Sequence, residues 1–300
     1  MSFTPSAPDR RGTHEPGVAP GEKAAAVRPR NHARRSRGLA WSGLLALLLT
    51  GTAGCTSNSF TRLGMPVPVT RQGQVTLTLW QGSWIAALAV GAVVWGLIIW
   101  AVIFHRKRST ATPQQVHYNL PIEMLYTVVP FIMVGILFFF TARDENYLDR
   151  MPAHPNVVVT VTGFQWSWQF QYPQYKVPGS ATGDVTINGQ PWSPSAGGRN
   201  LPVLVIPTNE TVRFNLVSTD VVHSFWIIPF EFKRDVIPGH PNHFQVTPNR
   251  TGTFVGRCTE LCGLYHSRML FTVKIVTPAQ FRTWIHAQQV AQTTAAGSAQ

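Results

Sequence analysis

The 300-residue sequence predicts a membrane-anchored all-β protein, in which a two-helix transmembrane hairpin precedes a β-sandwich or barrel. Three observations carry this. Residues 83–104 and 124–142 contain no charge, and each stretch is long enough to cross a bilayer as a helix, which takes about 20 residues. From residue 157 the apolar pattern changes to a period of two, the signature of strands with one face in water. Charged residues make up only 13% of the chain, against about 25% in soluble domains.

The sequence divides into a leader (1–54), an outer-face segment (55–82), the hairpin (83–143), a β-domain (155–278) and a short helix with a disordered tail (279–300). Residues 1–38 are rich in Pro, Ala, Gly and Arg without periodicity and cannot bury enough surface to fold. Five arginines between Arg28 and Arg37 then precede an apolar stretch at 39–49. That stretch is too short to span a bilayer and fits the apolar core of an export signal. Thr52, Ala53 and Gly54 lead into Cys55, and small residues before a lone cysteine resemble the acylation site of bacterial lipoproteins.

The first span is followed at once by His105, Arg106, Lys107 and Arg108. By the positive-inside rule that cluster is cytoplasmic. The second span then returns the chain to the outer face of a bacterial plasma membrane, with both termini and the β-domain outside. Glu123 sits at the cytoplasmic mouth of the second span, just after Pro121. A carboxylate there stabilises a helix N-terminus by about 0.3–1 kcal/mol; an ionisable group at a membrane boundary can also open a proton route.

In the outer domain, Phe164, Trp166, Trp168, Phe170 and Tyr172 alternate with polar residues, so 157–172 reads as a strand and Trp166 as a core side chain. Residues 177–200 are rich in Gly, Pro and Ser and read as a loop or hairpin excursion. Further strands are expected at 201–206, 211–218, 223–228, 243–247, 252–257 and 269–276, and a short helix at 278–289. Short strands separated by turn signals suggest a sandwich or barrel.

The chemistry gathers in Cys258-Thr-Glu-Leu-Cys-Gly-Leu-Tyr-His-Ser-Arg-Met269. Two thiolates, an imidazole and a thioether in one inter-strand loop form a soft donor set, which selects copper over calcium or magnesium. A single-copper electron-transfer site uses one Cys, whereas two can bridge a pair of copper ions. Each copper then needs an imidazole and a weak axial donor. His266 is in the loop, and His223, in Asp-Val-Val-His-Ser-Phe-Trp, is the best placed second imidazole. A Cys258–Cys262 disulfide and a zinc site are the competing readings. Three cysteines in all exclude a disulfide-stapled scaffold. Although Lys+Arg outnumber Asp+Glu by 25 to 13, no basic face interleaved with exposed aromatics is present, which sets nucleic acid aside.

With these motifs in order, together with Gln-Trp-x-Trp at 165–168 and Lys-x-Asp-x-x-Pro-Gly at 233–239, residues 75–290 resemble subunit II of haem-copper cytochrome c oxidases, of the actinobacterial kind. The resemblance implies a cupredoxin-like barrel on the two-helix hairpin. It implies a binuclear CuA centre with Cys258 and Cys262 bridging, His223 and His266 terminal, Met269 axial to one copper and the Glu260 carbonyl axial to the other. The Glu260 side chain would hold a magnesium or manganese ion shared with subunit I. Trp166 becomes the point of electron entry from cytochrome c, and Glu123 the entrance of a proton pathway into the catalytic subunit. Asp235 would support the subunit boundary, and Asp220 is a candidate for docking or for supporting a ligand. Subunits I and III are the implied partners. Because residues 155–300 hold 10 basic and 6 acidic groups, a free basic cytochrome would gain little steering. A membrane-tethered or acidic donor is expected instead, in a supercomplex with a cytochrome bc complex. The rival from another class is an envelope copper-binding or copper-delivery protein without redox turnover.

Overall fold

The computed structural model describes residues 60–108, 115–195 and 201–298. The leader, its apolar stretch and Cys55 lie outside the described residues.

Helix α1 (Arg71–Phe104) is 34 residues long, about 51 Å at about 1.5 Å per residue, against a hydrocarbon core of about 30 Å. The expected span at 83–104 is therefore only its C-terminal part. The extra turns arise because Thr70 caps the helix, its Oγ1 accepting from Gly73 N at 2.9 Å, and because Gly73 and Leu77 are buried, Gly73 against the Phe230 backbone. Arg71 N donates to Thr247 O at 3.0 Å, and Thr247 N donates to Gln72 Oε1 at 3.0 Å. A β-carbon on Gly73 would stand 2.8 Å from the Phe230 carbonyl oxygen, so only glycine permits this approach.

Helix α2 (Leu120–Leu148) also exceeds its expected span, 124–142, at both ends. At its start, Asn119 N donates to Glu123 Oε1 at 2.9 Å while Asn119 Oδ1 accepts from Ile122 N at 3.4 Å, a reciprocal cap. At its end, Arg143 and Asp144 form an ion pair at 2.8 Å beyond the apolar stretch. Both helices are long and apolar enough to cross a membrane, and residues such as Trp95 and Phe131 lie exposed along them.

The β-domain contains β1 (Val157–Phe164), β2 (Ser167–Lys176), β3 (Asp184–Asn188), β4 (Val203–Pro207), β5 (Val212–Ser218), β6 (His223–Ile227), β7 (Lys233–Val236), β8 (Asn242–Val246), β9 (Gly252–Cys258) and β10 (Leu270–Val276). They form two five-stranded sheets, ordered β3-β2-β1-β5-β8 and β4-β10-β9-β6-β7. Two neighbouring pairs are parallel, β1 with β5 and β4 with β10. The inner faces meet through aromatic rings: Trp168 of β2 packs on Phe225 of β6 and Phe271 of β10 with centroids 5.5 and 5.6 Å apart. Phe225 and Phe271 stack at 4.9 Å.

Two expectations need correction. The single strand at 157–172 is a hairpin, with Phe164 paired to Ser167 across a two-residue turn, Gln165–Trp166, whose peptide bond is cis. A two-residue turn reverses the parity of the buried face, from the odd residues of β1 (157–163) to the even residues of β2 (168–172), and the aromatic pattern runs through it because Phe164 and Trp166, at the turn and off the buried face, share the even parity. The short terminal helix with a disordered tail is instead helix α3 (Pro278–Gly297). A capping box of Thr277 and Gln280 starts it. Phe281 and Trp284 pack on Tyr172 at 6.3 and 5.4 Å. Further along, the Gln292 amide makes two hydrogen bonds of 3.1 Å to the Thr186 backbone. Those bonds tie the second half of the helix to β3, a strand inside the 177–200 excursion.

Candidate metal centre

The loop from Cys258 to Met269 joins β9 to β10 and is closed at its base, Cys258 N donating to Met269 O at 3.0 Å. Because β6 pairs with β9, with Phe225 opposite Cys258, the first residue of β6, His223, is brought beside the first thiol of the loop. Sheet pairing thus joins two segments 35 residues apart.

The two thiols are free, and their sulfurs are 3.8 Å apart. A disulfide needs about 2.05 Å, so the bonded alternative is not what the loop forms here. His223 Nδ1 lies 3.9 Å from Cys258 Sγ, and His266 Nδ1 lies 3.6 Å from Cys262 Sγ. Each imidazole faces a different sulfur. Met269 Sδ is 3.8 Å from Cys262 Sγ, and the Glu260 carbonyl oxygen accepts from Cys258 Sγ at 3.2 Å. His223 Nδ1 and both sulfurs lie within 4.8 Å of one another. Two thiolates between two imidazoles, with a thioether near one and a carbonyl near the other, fit a pair of copper ions by number and softness of donors.

Asp220 fixes the orientation of His223. Its Oδ1 accepts from His223 Nε2 at 2.8 Å, which leaves Nδ1 bare toward the sulfur; a carboxylate behind a ligating imidazole both orients it and raises its basicity. Asp220 is itself held by the amides of Val221 and Gln165, both at 2.6 Å. Burial acts to raise the Asp220 carboxyl, but the hydrogen bonds from His223, Val221 and Gln165 hold it below the usual carboxylate range. Burial likewise acts to lower His223, yet its bonds to Cys258 and Asp220 hold it up. Burial opposes ionisation of both thiols. For Cys258, hydrogen bonds to His223 and to the Ser224 and Glu260 backbone reverse this and bring it down. Burial and then the neighbouring Cys258 charge push Cys262 up.

Above Cys262, Trp166 Nε1 and Gln165 Nε2 both donate to its carbonyl, at 3.2 and 2.7 Å. Trp166 is thus at the turn and half-buried, outside the run of core residues, and it touches the loop that carries the donors. Glu260 has an exposed side chain. Asp235, on β7 opposite Ser224, is exposed. Glu123 is at the far end of the hairpin in the cap described above.

Sequence reasoning missed Gln165, Gly263, Tyr265 and Trp192. Gly263 has φ +120°, and a β-carbon there would lie 3.1 Å from Gln165 Nε2 and 3.2 Å from Trp166 Cζ2. Gln165 stands in the Gln-Trp-x-Trp motif, and it is the turn that brings its amide to the loop.

A family model described as "Cytochrome C oxidase subunit II, periplasmic domain" matches residues 157–276. The chain is 52% identical over 262 residues to "Probable cytochrome c oxidase subunit 2" of Streptomyces avermitilis, covering 79% of this chain and 82% of the other. It is 36% identical over 298 residues to "Cytochrome c oxidase subunit 2" of Mycobacterium tuberculosis, covering 84% and 82%. Among solved structures, the periplasmic domain of subunit II of cytochrome oxidase (CoxB) of Bradyrhizobium japonicum is similar at 28% identity and a TM-score of 0.38, covering 47% of this chain and 99% of that one.

Proposed function

The chain belongs to the cytochrome c oxidase subunit II family, and from that premise we propose that its donor cluster holds the binuclear copper centre through which an oxidase accepts electrons from a cytochrome c. The observation that carries this is the pairing of His223 with one free thiol and His266 with the other, the sulfurs 3.8 Å apart. Cys258 and Cys262 would bridge, with Met269 and the Glu260 carbonyl as the weak donors. A copper pair so bridged supplies one-electron chemistry in which the change of charge is spread over two metals and two sulfurs.

The protein's own residues do the rest. The sheet pairing of β6 with β9 and the base of the loop hold the donors in place, so little movement accompanies a change of charge. Asp220 keeps Nδ1 of His223 free of its proton. Phe225, Trp168 and Met269 shield the inner side from water. Trp166 bridges the outer surface and the Cys262 carbonyl, and is the point of electron entry. Electrons then leave for the haem-copper subunit I, where dioxygen is reduced and protons are pumped. This chain carries no part of the dioxygen site.

The hairpin anchors the copper domain outside the plasma membrane, with both termini on that face and the His105–Arg108 cluster inside. Glu123 admits protons from the cytoplasmic side, a role compatible with its place in the helix cap. The exposed Glu260 carboxylate reaches a magnesium or manganese ion shared with subunit I, and Asp235 supports that boundary. Subunit III completes the oxidase. The donor is an acidic or membrane-tethered cytochrome, held in a supercomplex with a cytochrome bc complex. Cys55 is acylated and adds a second anchor.

Electron paramagnetic resonance of the purified copper-loaded chain tests the centre. A hyperfine pattern from two equivalent coppers is expected; the pattern of a single copper would overturn the reading and favour a copper-delivery role. For the proton route, Glu123→Gln is expected to slow oxidase turnover with the copper spectrum unchanged, and unaltered turnover returns Glu123 to capping alone.

A further inference from the structure

The 177–200 excursion returns from β3 alongside the Gln165–Trp166 turn. Gly189 N donates to Trp168 O at 2.9 Å, and Trp192 N donates to Trp166 O at 3.4 Å. The approach leaves no room for a side chain: a β-carbon on Gly189 would overlap Ser167 Oγ and the Trp168 carbonyl oxygen. This pins Trp192 against the outer side of the copper loop. Its ring lies 4.4 Å from that of Tyr265, which in turn meets Trp166 edge-on at 4.9 Å. The Arg268 guanidinium lies 5.5 Å from the Trp192 ring. None of these rings is in the core; Trp166, Tyr265 and Trp192 are all half-buried.

The same loop projects Leu261 and Leu264, 79% and 78% exposed. Two such side chains flanking a buried thiol, beside three aromatic edges, form an apolar patch of the kind that marks a contact site. Resting on the electron-entry reading above, we infer that Trp192 extends that site. It is a specificity-determining contact for a c-type cytochrome whose haem edge is apolar and ringed by carboxylates. The carboxylates answer the exposed Arg268 and the domain's excess of 10 basic over 6 acidic residues at 155–300. Trp192 presents a rigid ring to the donor and backs Tyr265 against Trp166. The donor's ferrous haem, on becoming ferric, would give up one electron, and the copper pair that Cys258, Cys262, His223 and His266 would hold would take it up. No bond forms or breaks, and the aromatic residues keep their oxidation state.

The test uses the full copper-loaded chain in its purified oxidase, with a soluble acidic c-type cytochrome and, side by side, a soluble basic one as probes. Binding is measured by calorimetry and KM separately from kcat. Trp192→Ala is expected to weaken binding of the acidic cytochrome about ten-fold, as loss of an aromatic anchor does, and to raise KM with kcat nearly constant. Trp192→Phe retains most of the affinity, and Arg268→Gln flattens the salt dependence. Wild-type binding in Trp192→Ala overturns the inference. So does a shifted copper spectrum in that variant, because it would make Trp192 a packing residue, and so does tighter binding of the basic cytochrome than of the acidic one. If Trp166→Ala also binds and turns over as wild type, the electron-entry reading fails as well; if only Trp192→Ala does, that reading stands alone.

Discussion

The two ends of the β-domain are built differently. At the copper-loop end the groups that position the donors are held within the chain: Asp220 holds His223, Gln165 and Trp166 hold the Cys262 carbonyl, and Cys258 N and Trp168 Nε1 hold the Met269 carbonyl, while the Thr259 hydroxyl, off the donor set, is buried without a partner among the described residues. At the membrane end, Glu231 is 8% exposed, and among the described residues neither of its carboxylate oxygens has a hydrogen-bond partner. Apolar helices extend from the same end, and Arg234 reaches Asp149 at the end of α2. A site that must keep its geometry through a change of charge is finished by its own chain. The end from which the apolar helices extend keeps a buried carboxylate unpartnered among the described residues.

The largest effect belongs to the copper end. Cys258→Ser is expected to abolish the two-copper spectrum entirely while the chain still inserts, because the serine hydroxyl is a harder donor that bridges poorly; a surviving two-copper pattern would erase the contrast between the ends. Next, Asp220→Asn is expected to weaken copper binding by about 10–100-fold, the usual cost of losing the group behind a ligating imidazole. Competition with a copper chelator measures it.

At the membrane end, Gly73→Ala places a methyl group against the Phe230 backbone and is expected to cost about 1–3 kcal/mol. Its signature is a lower Tm and faster proteolysis near residues 60–70, with the copper spectrum intact. The smallest effect concerns Glu231, whose carboxyl burial raises from 4.5 to about 7, the nearby Arg62 offsetting this in part. A carboxyl raised on folding stabilises the protonated protein, so its contribution is full below the unfolded value of 4.5 and is lost as pH rises through about 7. Glu231→Gln is therefore expected to match wild type near pH 4.5 and to be about 1 kcal/mol more stable near pH 8, read as a Tm difference in the detergent-solubilised chain. Reassembly with subunit I should narrow that difference if the partner completes this end.

What could be read from the residues alone follows from which signals are local. The soft donors of the 258–269 loop lie within twelve positions, so their chemistry is written in order, and strand alternation located most of the sheet. The hairpin at Gln165–Trp166 was hidden because Phe164 and Trp166 continue an even-numbered aromatic series across a turn at which the buried face changes from odd to even residues. The extra turns of α1 were hidden because their helicity rests on contacts distant in sequence, Gly73 against the Phe230 backbone and Arg71 and Gln72 hydrogen-bonded to Thr247. Helix α3 outran its expected end through Gln292, a residue whose partners on β3 are more than a hundred positions away. Trp192, in a Gly- and Pro-rich stretch, carried no periodic signal at all. Its meaning appears only when the excursion is laid beside the copper loop.

Helix α1 crosses from lipid into the protein domain without a break, and this makes it a ruler. Each residue added or removed between Gly73 and Trp84 would change the height of the copper loop above the bilayer by about 1.5 Å and turn the apolar span by about 100° relative to it. Substitutions in these turns can be absorbed, but insertions and deletions would put the electron-accepting site out of reach and out of register together. The length of this stretch should therefore be held more strictly than its composition.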